Sequence, residues 1–251
     1  MNEFALGCHT TDLQMNARDV IDAASTKWNF HEYHPGIVGG HCIPIDPNYL
    51  IWQFDQYGFD SRVMRSARSI NNSVARFISN VTIEALVERM HKLESESAAV
   101  RVTCGIDENR AVGEVQQGTL IDETSHLLSE TEDDRPRLLV LGFAYKANTT
   151  DVRSPVLEET VDQIRDFVEV AGIDPHVPNE RIRNGFDVPV QEEGSFADFD
   201  ALLLSTSHDC FTSLDLGTVS SDMNEWPVLV DVTGTFDRKQ ATENGFIFRE
   251  L

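Results

Sequence analysis

The chain is short of positive charge, of cysteine and of long apolar runs, and each shortage argues against a class of function. Twenty lysines and arginines stand against 42 aspartates and glutamates, a formal charge of −22. Such a field repels phosphate backbones, so nucleic acid is not an expected partner. The four cysteines, Cys8, Cys42, Cys104 and Cys210, are too few and too scattered for a disulfide-built scaffold. No apolar run approaches the roughly 18 residues that cross a bilayer, so no membrane span is expected. Residues Met1 to Gly7 lack the basic start and apolar core of a secretory signal, and with the sparse cysteines this points to a cytoplasmic protein.

What remains is globular in composition. Hydrophobic residues make up 41% of 251 residues, enough to bury one large core or two smaller ones. The surplus of acid reads as a solvated, self-repelling surface of the kind halophile proteins use, so solubility is expected to need high salt. From Thr11 to Ala24, Leu13, Ala17, Val20, Ile21 and Ala24 recur at helical spacing and predict a first short helix. From Val63 to Met90 a near-heptad stripe through Ala67, Ile70, Val74, Phe77, Val81 and Ala85 predicts a long helix or two stacked ones. Such a stripe is buried packing or, on a functional reading, a dimer seam. Residues 93–135 are polar and acidic and read as a linker or surface insertion between a first unit at 1–92 and a second at 136–251. In the second unit, apolar runs at Leu138–Gly142, Ala201–Leu204, Val228–Val232 and Gly245–Phe248 alternate with helical stretches such as Pro155–Phe167. That alternation predicts an α/β fold with a doubly wound parallel sheet.

Two loops carry the chemistry. The first, Thr26 to Pro47, has glycines and prolines that forbid a regular element, and it leads into a helix expected to start at Asp46-Pro47. Cys42 follows Gly36, Gly39 and Gly40 and precedes that helix start. It is either an activated nucleophilic thiol in a setting open to a ligand or an inert buried one. Asp46 is either the helix N-cap or a carboxylate that orients water or takes a proton near Cys42. His34 and His41 flank the same loop. Neither has a second histidine or carboxylate at metal-ligand spacing, so no zinc site is expected. The second loop, Gly142 to Pro155, follows a strand and opens a helix, and Lys146 and Arg153 are cations in an otherwise acidic chain. It suits an anion held by helix amides, or it is an ordinary capped βα-loop with Asp151 paired to Arg153. No G-x-G-x-x-G occurs, so the usual dinucleotide fingerprint is absent.

At these two loops the sequence resembles the UDP-glucose/GDP-mannose dehydrogenase family. Pro35-Gly36-Ile37-Val38-Gly39-Gly40-His41-Cys42-Ile43-Pro44-Ile45-Asp46-Pro47 is similar to the family's catalytic-cysteine segment. Leu141 through Lys146 with Arg153-Ser154-Pro155 is similar to its UDP-binding segment. Ala24 to Phe30 most resembles the branch acting on UDP-N-acetylhexosamines. The resemblance covers residues 1 to about 92 and 136–251. It implies a partial central helical domain followed by a Rossmann-like sheet domain, with the family's amino-terminal NAD-binding domain not included. It further implies a nucleotide-sugar 6-dehydrogenase of polysaccharide biosynthesis that oxidises the C6 alcohol of a UDP-sugar to a carboxylate with two NAD. In that chemistry Cys42 is the nucleophile and Asp46 its polar partner. Tyr33, His34, Pro35, Gly36, Ile37, Val38 and Gly39 line the sugar nucleotide together with Tyr145 and Lys146. Cys42, Ile43, Pro44, Ile45 and Arg153 face NAD. The implied partners are a second copy, met through the long helix at 63–92, and a separately encoded NAD-binding half. The rival expectation is a catalytically inactive, truncated UDP-sugar-binding dimer.

Overall fold

The structure, a computed structural model, describes residues 1–11, 15–40, 42–103, 135–191 and 195–251. Most of the expected linker, together with Cys104 and His41, lies outside those residues. Two helices, α1 (Asn2–Thr10) and α2 (Ala17–Ser25), replace the single helix expected from Thr11 to Ala24. The break falls where the Asn16 side chain accepts a hydrogen bond from the Arg18 amide and caps α2. A loop without regular structure runs to Gly40, and α3 (Cys42–Gln56) follows.

This helix corrects the expected start at Asp46. Pro44 falls in its first turn, where a missing amide proton leaves no bond unmade, so the helix begins at Cys42 itself. It stops at Gly58: the Gly58 amide donates to the Asp55 carbonyl and that of Phe59 to the Phe54 carbonyl, which closes the last turn.

Helix α4 (Arg62–Thr103) is a single continuous helix and runs on into the segment expected to be linker. The middle of its apolar stripe is consumed within the chain. Val74, Ala75, Ile78, Val81, Ile83, Ala85 and Leu86 are buried in a core shared with the sheet. This leaves the expected dimer seam only its amino-terminal part, where Val63 is exposed.

The sheet contains β1 (Arg137–Leu141), β2 (Glu169–Ile173), β3 (Ala201–Leu204), β4 (Val228–Asp231) and β5 (Ile247–Glu250), all parallel in the order β2-β1-β3-β4-β5. Its strands read as nearly continuous apolar runs because both faces are covered. Leu138, Val140, Leu203, Val228 and Val230 face α4 and α5 (Pro155–Ile164). Leu139, Leu141, Leu202, Leu204 and Leu229 face the opposite way, onto Leu216 and Val219 of α8 (Leu216–Asp222) and Ala241 of α9 (Arg238–Glu243). Two short helices, α6 (Asn179–Phe186) and α7 (Asp209–Thr212), complete the crossovers.

The rest of α4 is fastened to this unit by charge. Arg89 pairs with Asp200 at 2.7 Å in a nearly buried contact, and Glu88 meets Arg249 at 2.6 Å. Among the described residues no helix is long and apolar enough to cross a membrane.

Candidate functional site at the carboxyl edge of the sheet

The strand order reverses between β1 and β3, and in such sheets the crevice outside the carboxyl ends of those two strands receives ligands. Here it is formed by the loop after β1, residues 142–154, and the turn after β3, residues 205–208. The two approach so closely that only glycine fits at 142: its φ is +91°, and a Cβ there would lie 2.6 Å from that of Thr206. Ser205 Oγ donates to the Gly142 carbonyl and Thr206 Oγ1 to that of Ala144.

Beneath the crevice lies a carboxylate that sequence reasoning passed over. Asp174, at the end of β2, accepts from the amides of Phe143, Ala144, His176 and Val177 and from His208 Nε2 at 3.1 Å. Burial alone would raise its pKa. The His208 bond and the backbone amides outweigh that and hold it at about 2. His208 is fully buried, and its Nδ1 accepts from the Asn148 amide at 2.9 Å. The one available signal was Asp174-Pro175 directly after a strand; nothing in the spacing pointed to His208.

Above this floor Tyr145 and Lys146 are exposed, and among the described residues Lys146 forms no salt bridge. It is a cation left over in a strongly acidic protein. Arg153 is engaged, as the plainer expectation had it, by Asp151. That hydrogen bond is the first cause of its raised pKa; slight burial opposes it, and the Asp151 charge adds to it. The same bond lowers the pKa of Asp151.

The cysteine loop lies across this edge. The Gly40 amide donates to the Arg153 carbonyl at 2.7 Å, and a Cβ on Gly39 would sit 2.9 Å from both that carbonyl and Tyr145 Cβ. Pro35 and Gly40 are buried, residues 36–39 partly so, and Tyr33 and His34 are exposed. The far end is held by two side chains that the sequence did not single out. Asn2 exchanges hydrogen bonds with both backbone groups of Gly36, and the Arg18 guanidinium reaches the carbonyls of Pro35, Val232 and Leu251. The loop is thereby fixed at one end over β4 and at the other over β1.

Cys42 is exposed at the first residue of α3, and Ile43 beside it is exposed while Pro44 is buried. The earlier helix start removes the N-cap role from Asp46. It lies exposed four residues on, one turn along the face that carries Cys42, so the carboxylate reading survives and the cap does not. His34 bonds Glu32 at 2.9 Å, and ligand atoms of Asp22, Glu32 and His34 fall within 4.8 Å of one another, a grouping that sequence spacing missed. All three are exposed, and we assign no metal to them.

Two family models match the chain: the central domain of the UDP-glucose/GDP-mannose dehydrogenase family over residues 1–73 and the UDP binding domain of the same family over residues 139–238. UDP-N-acetyl-D-glucosamine 6-dehydrogenase of Salmonella typhi is 23% identical over 96% of the chain, and UDP-N-acetyl-D-mannosamine dehydrogenase of Pyrococcus horikoshii 28% identical over all of it. In both cases the alignment takes in 47% of the relative, so the chain spans about half the length of the curated relatives it matches. Among solved structures, the NDP-N-acetyl-D-galactosaminuronic acid dehydrogenase of Methanosarcina mazei superposes with a TM-score of 0.71 at 18% identity, over 99% of this chain and 46% of that one. The likeness is one of fold.

Proposed function

Because this chain belongs to the UDP-glucose/GDP-mannose dehydrogenase family, we propose that it forms the substrate-binding and cysteine-bearing half of a UDP-N-acetylhexosamine 6-dehydrogenase. The observation that carries this reading is the contact between the two loops. The backbone of Gly39 and Gly40 lies against Tyr145 and Arg153, so an anion held at Lys146 has its sugar within reach of the Cys42 segment.

On this reading the UDP diphosphate lies in the crevice between β1 and β3, where the unpaired Lys146 ammonium and loop amides attract it. Tyr145 and residues 33–39 flank the sugar. Cys42 sulfur adds to the C6 aldehyde as a thiohemiacetal, retains that carbon as a thioester after the second oxidation, and releases the carboxylate when water attacks. Asp46, one turn away, takes the proton of the thiol or of that water.

The residues present fit one end of NAD: exposed Cys42 and Ile43 closely follow Gly40, whose amide bonds the carbonyl of exposed Arg153, and an apolar and a cationic side chain suit a nicotinamide and a phosphate. The chain has no glycine turn to cradle the pyrophosphate, and that part of the site is assigned to sequence outside these 251 residues. When bound, NAD accepts the hydride in each of the two oxidations. We assign the exposed face of α3 and the first turns of α4 to a second copy.

The test supplies a matching dinucleotide-binding domain in trans and counts products. About two NADH should form per UDP-sugar, and Cys42→Ala should lower uronic acid formation by at least about 10³-fold. A Cys42→Ala pair that makes the acid at the parent rate overturns the assignment, and a pair that binds UDP-sugar without turnover favours a binding module.

A further inference from the structure

The geometry points to His208, held by Asp174, as the positioning residue that keeps the 143–148 turn, and with it Lys146, ready for a nucleoside diphosphate. This rests on the reading of the crevice as the UDP site. His208 is fully buried and touches no solvent, so it is not itself a ligand contact. Its two nitrogens are both used, and their partners assign the tautomer: the Asn148 amide can only donate, so Nδ1 accepts, and the Asp174 carboxylate accepts from Nε2–H.

The same carboxylate oxygen takes the amides of Phe143 and Ala144. One imidazole–carboxylate pair therefore grips the turn on both sides of Tyr145 and Lys146. The grip at Asn148 matters most, because that residue is left-handed at φ +58°, a conformation that an ungripped chain visits seldom. The Asn148 side chain returns the contact by accepting from the Asp209 amide. Loops after β1, β2 and β3 are thus knotted at one point below the crevice. A ligand meeting a turn already fixed need not order it, and a ligand meeting a loose one binds more weakly by the cost of that ordering.

Two substitutions separate the two bonds. In His208→Asn the side-chain oxygen lies where Nδ1 was and can still accept from Asn148. In His208→Gln the amide reaches toward Asp174 and the Asn148 acceptor is lost. With UDP as the probe in calorimetric titration of the chain, His208→Asn should stay within about threefold of the parent affinity. His208→Gln should bind at least about tenfold more weakly while unfolding at a similar temperature. Equal affinity in a folded His208→Gln overturns the inference. Should His208→Gln not fold, hydrogen exchange on the parent decides: the Asn148 amide should be protected before UDP is added, and protection that appears only with UDP overturns it. A parent that binds no UDP overturns the site reading instead, which keeps the two failures distinct.

Discussion

The sheet half and the helical half of this chain treat their apolar side chains in opposite ways. In β1, β3 and β4 every residue from Leu138 to Leu141, from Ala201 to Leu204 and from Val228 to Val230 is buried. Loops at the carboxyl edge of the sheet are tied down by buried carboxylates, Asp174 just after β2 and Asp231 as the last residue of β4, each accepting several backbone amides. In the helical half Trp28 is 92% exposed, Tyr57 82% and Val63 83%, with Tyr49, Trp52 and Phe59 also open. The sheet half is thus closely packed, while several aromatic side chains of the helical half lack cover. The site proposed above lies where the two meet, on the loop that the sheet half holds in place.

The contrast breaks most visibly in the sheet. Leu203→Ala, at a fully buried position of the central strand, should cost about 2–5 kcal/mol in a urea melt. A loss under 1 kcal/mol would mean that the core is looser than its packing implies.

Acid should act next, through Asp174. Its carboxyl titrates at about 2 in the fold against an ordinary value of 3.8, so its contribution, roughly 2 kcal/mol, is present above pH 4 and is lost as pH falls toward 2. Asp174→Asn should flatten the stability profile over that window, and a profile as steep as the parent's would show that other carboxylates dominate there.

The smallest effect belongs to the open face. Trp52→Ser, at a position 61% exposed, should shift the stability of the isolated chain by less than about 0.5 kcal/mol. Sedimentation should nevertheless show weaker self-association, and an unchanged association constant would remove α3 from the interface.

The same contrast explains what the sequence disclosed. The parallel sheet was legible because strands buried on both faces are apolar throughout, as Leu138–Leu141 and Ala201–Leu204 are. The close approach of the first loop was legible in Gly39 and Gly40, and the second loop drew notice because it follows a strand, opens a helix and carries Lys146 and Arg153. The start of α3 was misjudged because a proline in a first turn looks the same at Pro44 as at Pro47. The clasp residues Asn2, Arg18, Asp174 and His208 were illegible for a different reason. Asn2 and Arg18 act on backbone groups far away in sequence, which leaves no complementary residue type to pair them with, and Asp174 and His208 do complement each other but stand 34 residues apart with no spacing rule to join them.

The central claim is that the Cys42 loop and the Lys146 loop form one site, and alkylation of Cys42 tests it without any second domain. Cys42 is exposed and Cys8 partly so, which gives an internal control in the same chain. With a saturating UDP-N-acetylhexosamine, the rate of iodoacetamide modification at Cys42, read by peptide mass spectrometry, should fall by about fivefold or more, while that at Cys8 stays constant. A Cys42 rate unchanged by a UDP-sugar that demonstrably binds the chain would contradict the account.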